Sequence, residues 1–220
     1  MSTAKTDFNL ANLPDVKYGN TSYNGVPIIY VVKASKTSYI NYMKVLMLAE
    51  ELNLSYEVSI VSTKDEWYHA VHPERYVPAI KDRDAKTLEY FFVFESTACL
   101  QYLVDAYDKT GTWSGRTQKE KALVTAWLAY QTAGIGLYEN CVKQWGILEK
   151  RLAEPGQGFI ALKERPTVAD IAYYPFAMSY MFEFLGVNIA DWPNIMNWAQ
   201  KMEARPGIQK VLQWAPTIGS

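Results

Sequence analysis

Cysteine and histidine are scarce in this chain. Its only cysteines are Cys99 and Cys141, and its only histidines are His69 and His72. Two distant cysteines make neither a disulfide framework nor a C-x-x-C redox or zinc pair, and two histidines exclude a His-rich metal site. No metal is therefore expected. Charge of one sign is lacking too. Lys plus Arg total 22 and Asp plus Glu total 23, a net charge of −1, without the basic excess of a nucleic-acid binder. No stretch approaches the ~20 apolar residues that span a bilayer, and residues 1–20 hold no apolar run of the kind a signal peptide needs. A soluble cytoplasmic protein with no nucleic-acid and no membrane partner is the expectation. Internal repeats and low-complexity tracts are missing as well.

What is abundant is apolar and aromatic. Hydrophobic residues make up 49% of 220, enough to build a core and too many for a disordered chain. That length bounds one large domain or two small ones. Aromatic residues reach 14%, with 16 Tyr, 8 Phe and 7 Trp. Such side chains fill cores, and they also make the large, partly polar surfaces that suit pockets.

The hydrophobic pattern changes period along the chain. Residues 1–26 are polar, carry Pro14, Gly19 and Gly25, and read as an extended arm. Ile28–Val32 is a short β-branched run after Pro27, a buried strand. Thr37–Leu52 is apolar on most of its circumference, a largely buried helix. Tyr56–Ile60 alternates as a strand. Strand, helix and strand at this spacing form a βαβ unit whose strands run parallel. A short helical piece at Glu66–Val71 stops at Pro73. Ala79–Lys81 and Thr87–Phe92, joined through Asp82–Ala85, signal a hairpin, and Glu95–Tyr107 is a helix. The first half, 27–107, is thus α/β. A Gly- and Ser-bearing linker at 108–116 follows, and 117–220 is helical in period throughout. Its helices are expected at Lys119–Ala133, Tyr138–Leu152, Thr167–Leu185, Pro193–Ala204 and Ile208–Trp214.

Three short signals bear on chemistry. Pro78 opens a strand after Val77, where a proline cannot donate to a ladder. X-Pro bonds are the ones that can be cis, so this is either a trans proline on an edge strand or a cis turn that frees the Val77 backbone for a peptide-like ligand. Glu95 and Ser96 open a helix. Either they cap its free N–H groups, or Ser96 and those N–H groups hold a ligand carboxylate while Glu95 meets an ammonium. Thr167 and Asp170 have capping-box spacing and mark the fold rather than a site.

In this order, V-P before a third strand, E-S at the next helix and T-x-A-D in an all-helical half resemble the glutathione S-transferase superfamily, fungal members in particular. The resemblance covers about 27–214. It implies a thioredoxin-like βαβαββα domain followed by a helical bundle, a homodimer, and glutathione as the bound tripeptide. By position, Val77 and a cis Pro78 would hold the cysteinyl part. Glu95 and Ser96 would hold the γ-glutamyl end, and Lys64 would meet the glycyl carboxylate. Ser38 and Asn41 fit a fungal S-x-x-N pattern near the thiol, with Tyr39 as a rival donor. Ile40 and Tyr42 stand where the family often has Pro and Gly, and His72-Pro73-Glu74-Arg75 stands where it commonly reads N-P-x-G. Relatives carry a long helical hairpin where this chain has Gly134-Ile135-Gly136.

With no cysteine between Val32 and Asn41, the nucleophile implied is the thiolate of glutathione itself. Cys99, inside a helix, reads as a small buried hydrophobe. An apolar electrophilic small molecule is the implied second substrate, with Trp127, Tyr130, Tyr174 and Met178 as its candidate pocket wall, or else as a core stripe. The resemblance leaves three activities open. They are transfer of glutathione to an electrophile in fungal secondary metabolism, glutathione-dependent trans-to-cis isomerisation of a conjugated polyene, and non-catalytic binding.

Overall fold

The computed structural model describes residues 13–35, 39–134 and 138–219. Five strands form one sheet: β1 Val16–Tyr18, β2 Ile28–Val31, β3 Glu57–Ile60, β4 Ala79–Arg83 and β5 Tyr90–Phe94. Their order is β1-β3-β2-β4-β5. β2 runs parallel to β3 with Ile28 opposite Glu57, whereas β4 is antiparallel to β2 and to β5. The parallel pair is joined through helix α1, Ile40–Glu51, and helix α2, Ser96–Tyr107, follows β5.

Alternation along β2 divides the core between two faces. Ile29 and Val31 face α1 and α2 with Val45, Leu46, Leu100 and Leu103. Ile28 and Tyr30 face the other way, onto Val61, Val71, Ala79 and the Tyr68 of a 3-10 turn at Glu66–Ala70. Both faces are covered, so β3 is buried at every position rather than on one face as its alternating sequence suggests. The polar arm contributes a strand of its own: Val16–Tyr18 pairs parallel with Val58–Ile60. The buried Glu57 carboxylate accepts from Lys17 and Asn24 and ties the arm down.

The second half comprises α3 Gln118–Gly134, α4 Tyr138–Leu152, α5 Val168–Tyr173, α6 Ser179–Phe184, α7 Pro193–Glu203 and α8 Pro206–Trp214. The single helix expected over Thr167–Leu185 is broken. Pro175 lies in a 3-10 segment, Tyr174–Ala177, and Met178 is extended before α6 begins. A proline lacks the N–H and crowds the preceding turn, so an α-helix cannot run through it undisturbed. The segment at 108–116 is closely held. Asp108 accepts the N–H groups of Thr112, Trp113 and Ser114 at 3.1, 2.7 and 2.8 Å, and the Trp113 side chain is buried. α8 packs on α1, where Arg205 pairs with Glu51 and Lys210 with Glu50. Within the helical half, Trp145 stacks on Phe182 at 4.1 Å. Thr167 and Asp170 form the expected capping box. No helix among the described residues is long and apolar enough to cross a membrane.

Candidate active site

A cleft of about 430 Å³ opens at the carboxyl ends of the parallel strands. There the chain leaves β2 at Val32, enters α1 at Asn41, leaves β3 at Thr63, approaches β4 through His72–Pro78 and enters α2 at Glu95 and Ser96. Strand ends facing helix starts are where α/β sheets bind ligands, because the first N–H groups of a helix lack internal partners. Both helices leave those groups available. Tyr39 caps α1 and Glu95 caps α2, each without a side-chain cap hydrogen bond.

The Val77–Pro78 peptide is cis. No hydrogen bond among the described residues uses the Val77 N–H or C=O, an unusual state for half-buried backbone. Glu95 adopts φ 70°, and Arg75 has φ 58°. Positive φ in a residue with a Cβ costs about 1–3 kcal/mol and gathers at functional sites. The backbone turn at Glu95 leaves its carboxylate 63% exposed at the cleft.

Beneath it lies His72, with its side chain buried and its Nε2 3.6 Å from Glu95 Oε1. The Glu74 N–H donates to His72 Nδ1 at 3.1 Å, so the ring proton belongs on Nε2, facing Glu95. The ring is wedged between Tyr76 and Phe94, with centroids at 5.6 and 4.8 Å. Arg75 donates to the Lys64 carbonyl at 3.1 Å and pairs with Glu66 at 3.3 Å.

Of the residues singled out by sequence, Asn41, Val77, Pro78, Glu95 and Ser96 line this one cleft. Ser38 lies outside the described residues. Lys64 is exposed and is not among the lining residues; its carbonyl instead anchors Arg75. Tyr39 turns toward the helical half, its ring 6.5 Å from that of Tyr180. Val32, Thr63, His72, Arg75 and Tyr76 complete the cleft without having been expected there. The signal for two of them was present, since His72 and Arg75 are where the loop departs from N-P-x-G.

The four proposed pocket-wall residues are not brought together. Tyr174 and Met178 line a second cavity of about 460 Å³ with Tyr180, Ile189, Met196 and Leu212. The cavity forms where the chain breaks at Pro175. Trp127 and Tyr130 lie elsewhere. Trp127 packs against Tyr130 at 6.0 Å and Tyr173 at 6.5 Å, with the Arg151 guanidinium over its ring. Successive residues of a helix point about 100° apart, so Tyr173 and Tyr174 face different neighbours. Trp127 borders an outer groove with Leu123 and Ile147.

Both cysteines are free and buried. Burial pushes the Cys99 thiol up to about 12, so no protein thiolate forms there near neutrality. Among the described residues, no group of three or more His, Cys, Asp or Glu is placed to hold a metal ion.

Two family models match this chain. The glutathione S-transferase N-terminal domain matches residues 41–106, and the glutathione S-transferase C-terminal domain matches residues 140–206. The chain belongs to the glutathione S-transferase family. It is 53% identical over 218 residues to glutathione S-transferase aclG of Aspergillus oryzae, across 90% of this chain and 99% of that protein. It is 56% identical over 186 residues to the trimodular acetylaranotin synthesis protein ataIMG of Aspergillus terreus, across 84% of this chain and 21% of that larger protein. Among solved structures it is similar to a glutathione transferase family member from Pseudomonas fluorescens with two glutathione bound. The TM-score is 0.71 at 25% identity, across 86% of this chain and 92% of that one. The glutathione transferase fold thus extends through both halves, a thioredoxin-like domain followed by a helical one.

Proposed function

We propose that this protein is a glutathione transferase acting on an apolar electrophile. The observation that carries the reading is the convergence on one cleft of an unpartnered Val77 backbone, an exposed Glu95 carboxylate and Ser96 at a helix start. These groups complement a tripeptide whose middle offers peptide donors and acceptors and whose γ-glutamyl end is a zwitterion. Val77 and Pro78 would hold the centre of glutathione, Glu95 its ammonium, and Ser96 with the first N–H groups of α2 its carboxylate. That the similar protein from P. fluorescens binds glutathione supports glutathione as the ligand.

Bound glutathione supplies a sulfur nucleophile. A free thiol titrates near ~8.5 and is only about 3% ionised at pH 7. Lowering that value by ~2 units requires about 2.7 kcal/mol of preference for the anion, within reach of one or two charge-assisted hydrogen bonds of ~1.5–3 kcal/mol each. Asn41 lies exposed in the cleft at the start of α1. We assign its amide this donor role, ahead of Tyr39, whose ring lies against Tyr180. The second cavity, soft with Met178 and Met196 and aromatic with Tyr174 and Tyr180, suits an irregular apolar substrate.

The name of the ataIMG relative supports placing the reaction in fungal secondary metabolism. Two unpaired cysteines and a thiol substrate suit the reducing cytoplasm. Leu88, Tyr90 and Phe94 form an exposed apolar rim at the sheet's β5 edge, and this supports a homodimer.

Ser96→Ala is expected to weaken glutathione binding about tenfold, since a charged ligand group loses one donor. Calorimetry that returns the wild-type affinity would move the ligand's carboxylate away from α2. Asn41→Ala is expected to lower kcat by about tenfold or more while leaving glutathione affinity within about twofold. A loss of affinity with kcat unchanged would make Asn41 a binding group only. Mass spectrometry of the product tests the reaction class. A gain of one glutathione is expected, whereas unchanged mass with an altered double-bond geometry would replace transfer by isomerisation.

A further inference from the structure

We propose that His72 is a positioning residue that presents Glu95 to the ammonium of the ligand. The proposal rests on the glutathione reading above and adds a residue on which that reading does not depend. Three observations carry it. The His72 side chain is buried beneath the cleft, only 2% exposed, and its Nε2 lies 3.6 Å from Glu95 Oε1. The Glu74 N–H occupies Nδ1 at 3.1 Å, which fixes the tautomer as well as the ring plane. The ring cannot swing away, because Tyr76 and Phe94 pack against it at 5.6 and 4.8 Å.

Glu95 needs such a support. Its positive φ sets the backbone, but its side chain is exposed and accepts no hydrogen bond among the described residues. A free carboxylate on a flexible stem loses rotamer entropy when it meets a ligand charge. A fixed Nε2–H near Oε1 would restrict that search and leave Oε2 for the ammonium. The present separation is longer than a direct hydrogen bond, and the exposed Glu95 side chain is the group whose movement would close it. Contacts of this kind tighten when the ligand arrives.

The test compares two ligands by calorimetry: glutathione, and glutaryl-cysteinylglycine, which lacks only the γ-glutamyl amine. Wild-type protein is expected to prefer glutathione by at least about tenfold. His72→Phe keeps a ring between Tyr76 and Phe94 but has no donor. It is expected to lose most of that preference while holding the amine-free analogue at wild-type affinity. His72→Gln, whose amide nitrogen reaches about as far as Nε2, is expected to restore the preference. A role in packing alone would weaken both ligands together. If His72→Phe kept the wild-type ratio, the His72 assignment would fall while the glutathione reading stood. Wild-type protein that bound neither ligand would overturn both. Nitrogen NMR of wild-type protein keeps the proposal testable should His72→Phe not fold. A protonated Nε2 and bare Nδ1 are expected, with the Nε2–H resonance moved by glutathione and not by the analogue. The opposite tautomer, or an equal response to both ligands, would refute it.

Discussion

Asp170→Ala is expected to destabilise the protein by about 3–6 kcal/mol, a large part of the ~5–15 kcal/mol that holds a domain folded. The Asp170 side chain is fully buried. One carboxylate oxygen accepts from the Ile160 N–H at 2.8 Å and from Trp198 Nε1 at 2.9 Å. The other accepts from the Thr167 N–H at 2.8 Å and its hydroxyl at 3.0 Å. Burial is the stronger influence on the carboxyl and pushes its titration up, and these donors pull it back. The group therefore links α5, α7 and the loop before α5 through one anion. Alanine would leave two backbone N–H groups and an indole N–H buried without acceptors, which costs more than the lost bonds alone. Asp170→Asn keeps one acceptor oxygen but turns an amide toward existing donors, and about half the loss is expected. Urea denaturation followed by tryptophan fluorescence checks both variants. An alanine variant within about 0.5 kcal/mol of wild type would mean that water replaces the carboxylate.

That network was readable as a capping box because its two ends lie three residues apart. What such spacing does not carry is the far side of the contact, and Trp198 and Ile160 are remote in sequence. The same divide runs through the candidate site. Pro78, Glu95 and Ser96 are local backbone signals, a proline at a strand start and a polar pair at a helix start, and all three reach the cleft. His72 enters it only because a loop of irregular backbone folds under α2, and no periodicity describes such a loop. Trp127, Tyr130, Tyr174 and Met178 read either as a pocket wall or as core stripes of their helices. A stripe shows which residues of one helix share a face and nothing of what faces them. Tyr173 meets Trp127 while Tyr174 turns toward Trp198, at 6.5 Å in each case. The break that opens the second cavity had its signal in Pro175, hidden because apolar periodicity persists on both sides of it. The arm's strand, three residues of Val-Lys-Tyr, is too short for any period to register.

The cleft also shows where this sequence accepts local cost. Arg75 holds a left-handed backbone where glycine would be at ease, and its guanidinium is tethered to Lys64 and Glu66. Glu95 holds another, at the first step into α2. Both sit on the rim of a layered core, so packing elsewhere can sustain strain at the ligand's edge. An Arg75→Gly replacement would relax one of these turns and remove a cation from the cleft at once. It is therefore a poorer probe of either effect than His72→Phe is of its single donor.

Lys44→Met is expected to stabilise the protein near neutral pH, and the gain should shrink as pH rises. Lys44 lies within α1 with a buried side chain. Among the described residues its ammonium makes no hydrogen bond, and it stands 4.7 Å from the centroid of the Phe176 ring. Burial lowers its titration from 10.5 to about 7. An amine with a depressed folded value binds fewer protons folded than unfolded between those two values, so stability rises with pH through that window. Above about 10.5 both states are neutral and the group costs nothing; at and below about 7 the cost is complete, up to about 5 kcal/mol. Methionine has nearly the same shape, carries no charge to desolvate and packs well on an aromatic ring. The difference between variant and wild type, measured by urea denaturation, is expected to be about 2–4 kcal/mol at pH 7 and about 1 kcal/mol or less at pH 10. Taking the difference cancels the buried tyrosines, which titrate in both proteins. A constant difference across that range would show that the ammonium stays charged and solvated inside the fold, and the cation–π contact with Phe176 would then be the reason the lysine is tolerated.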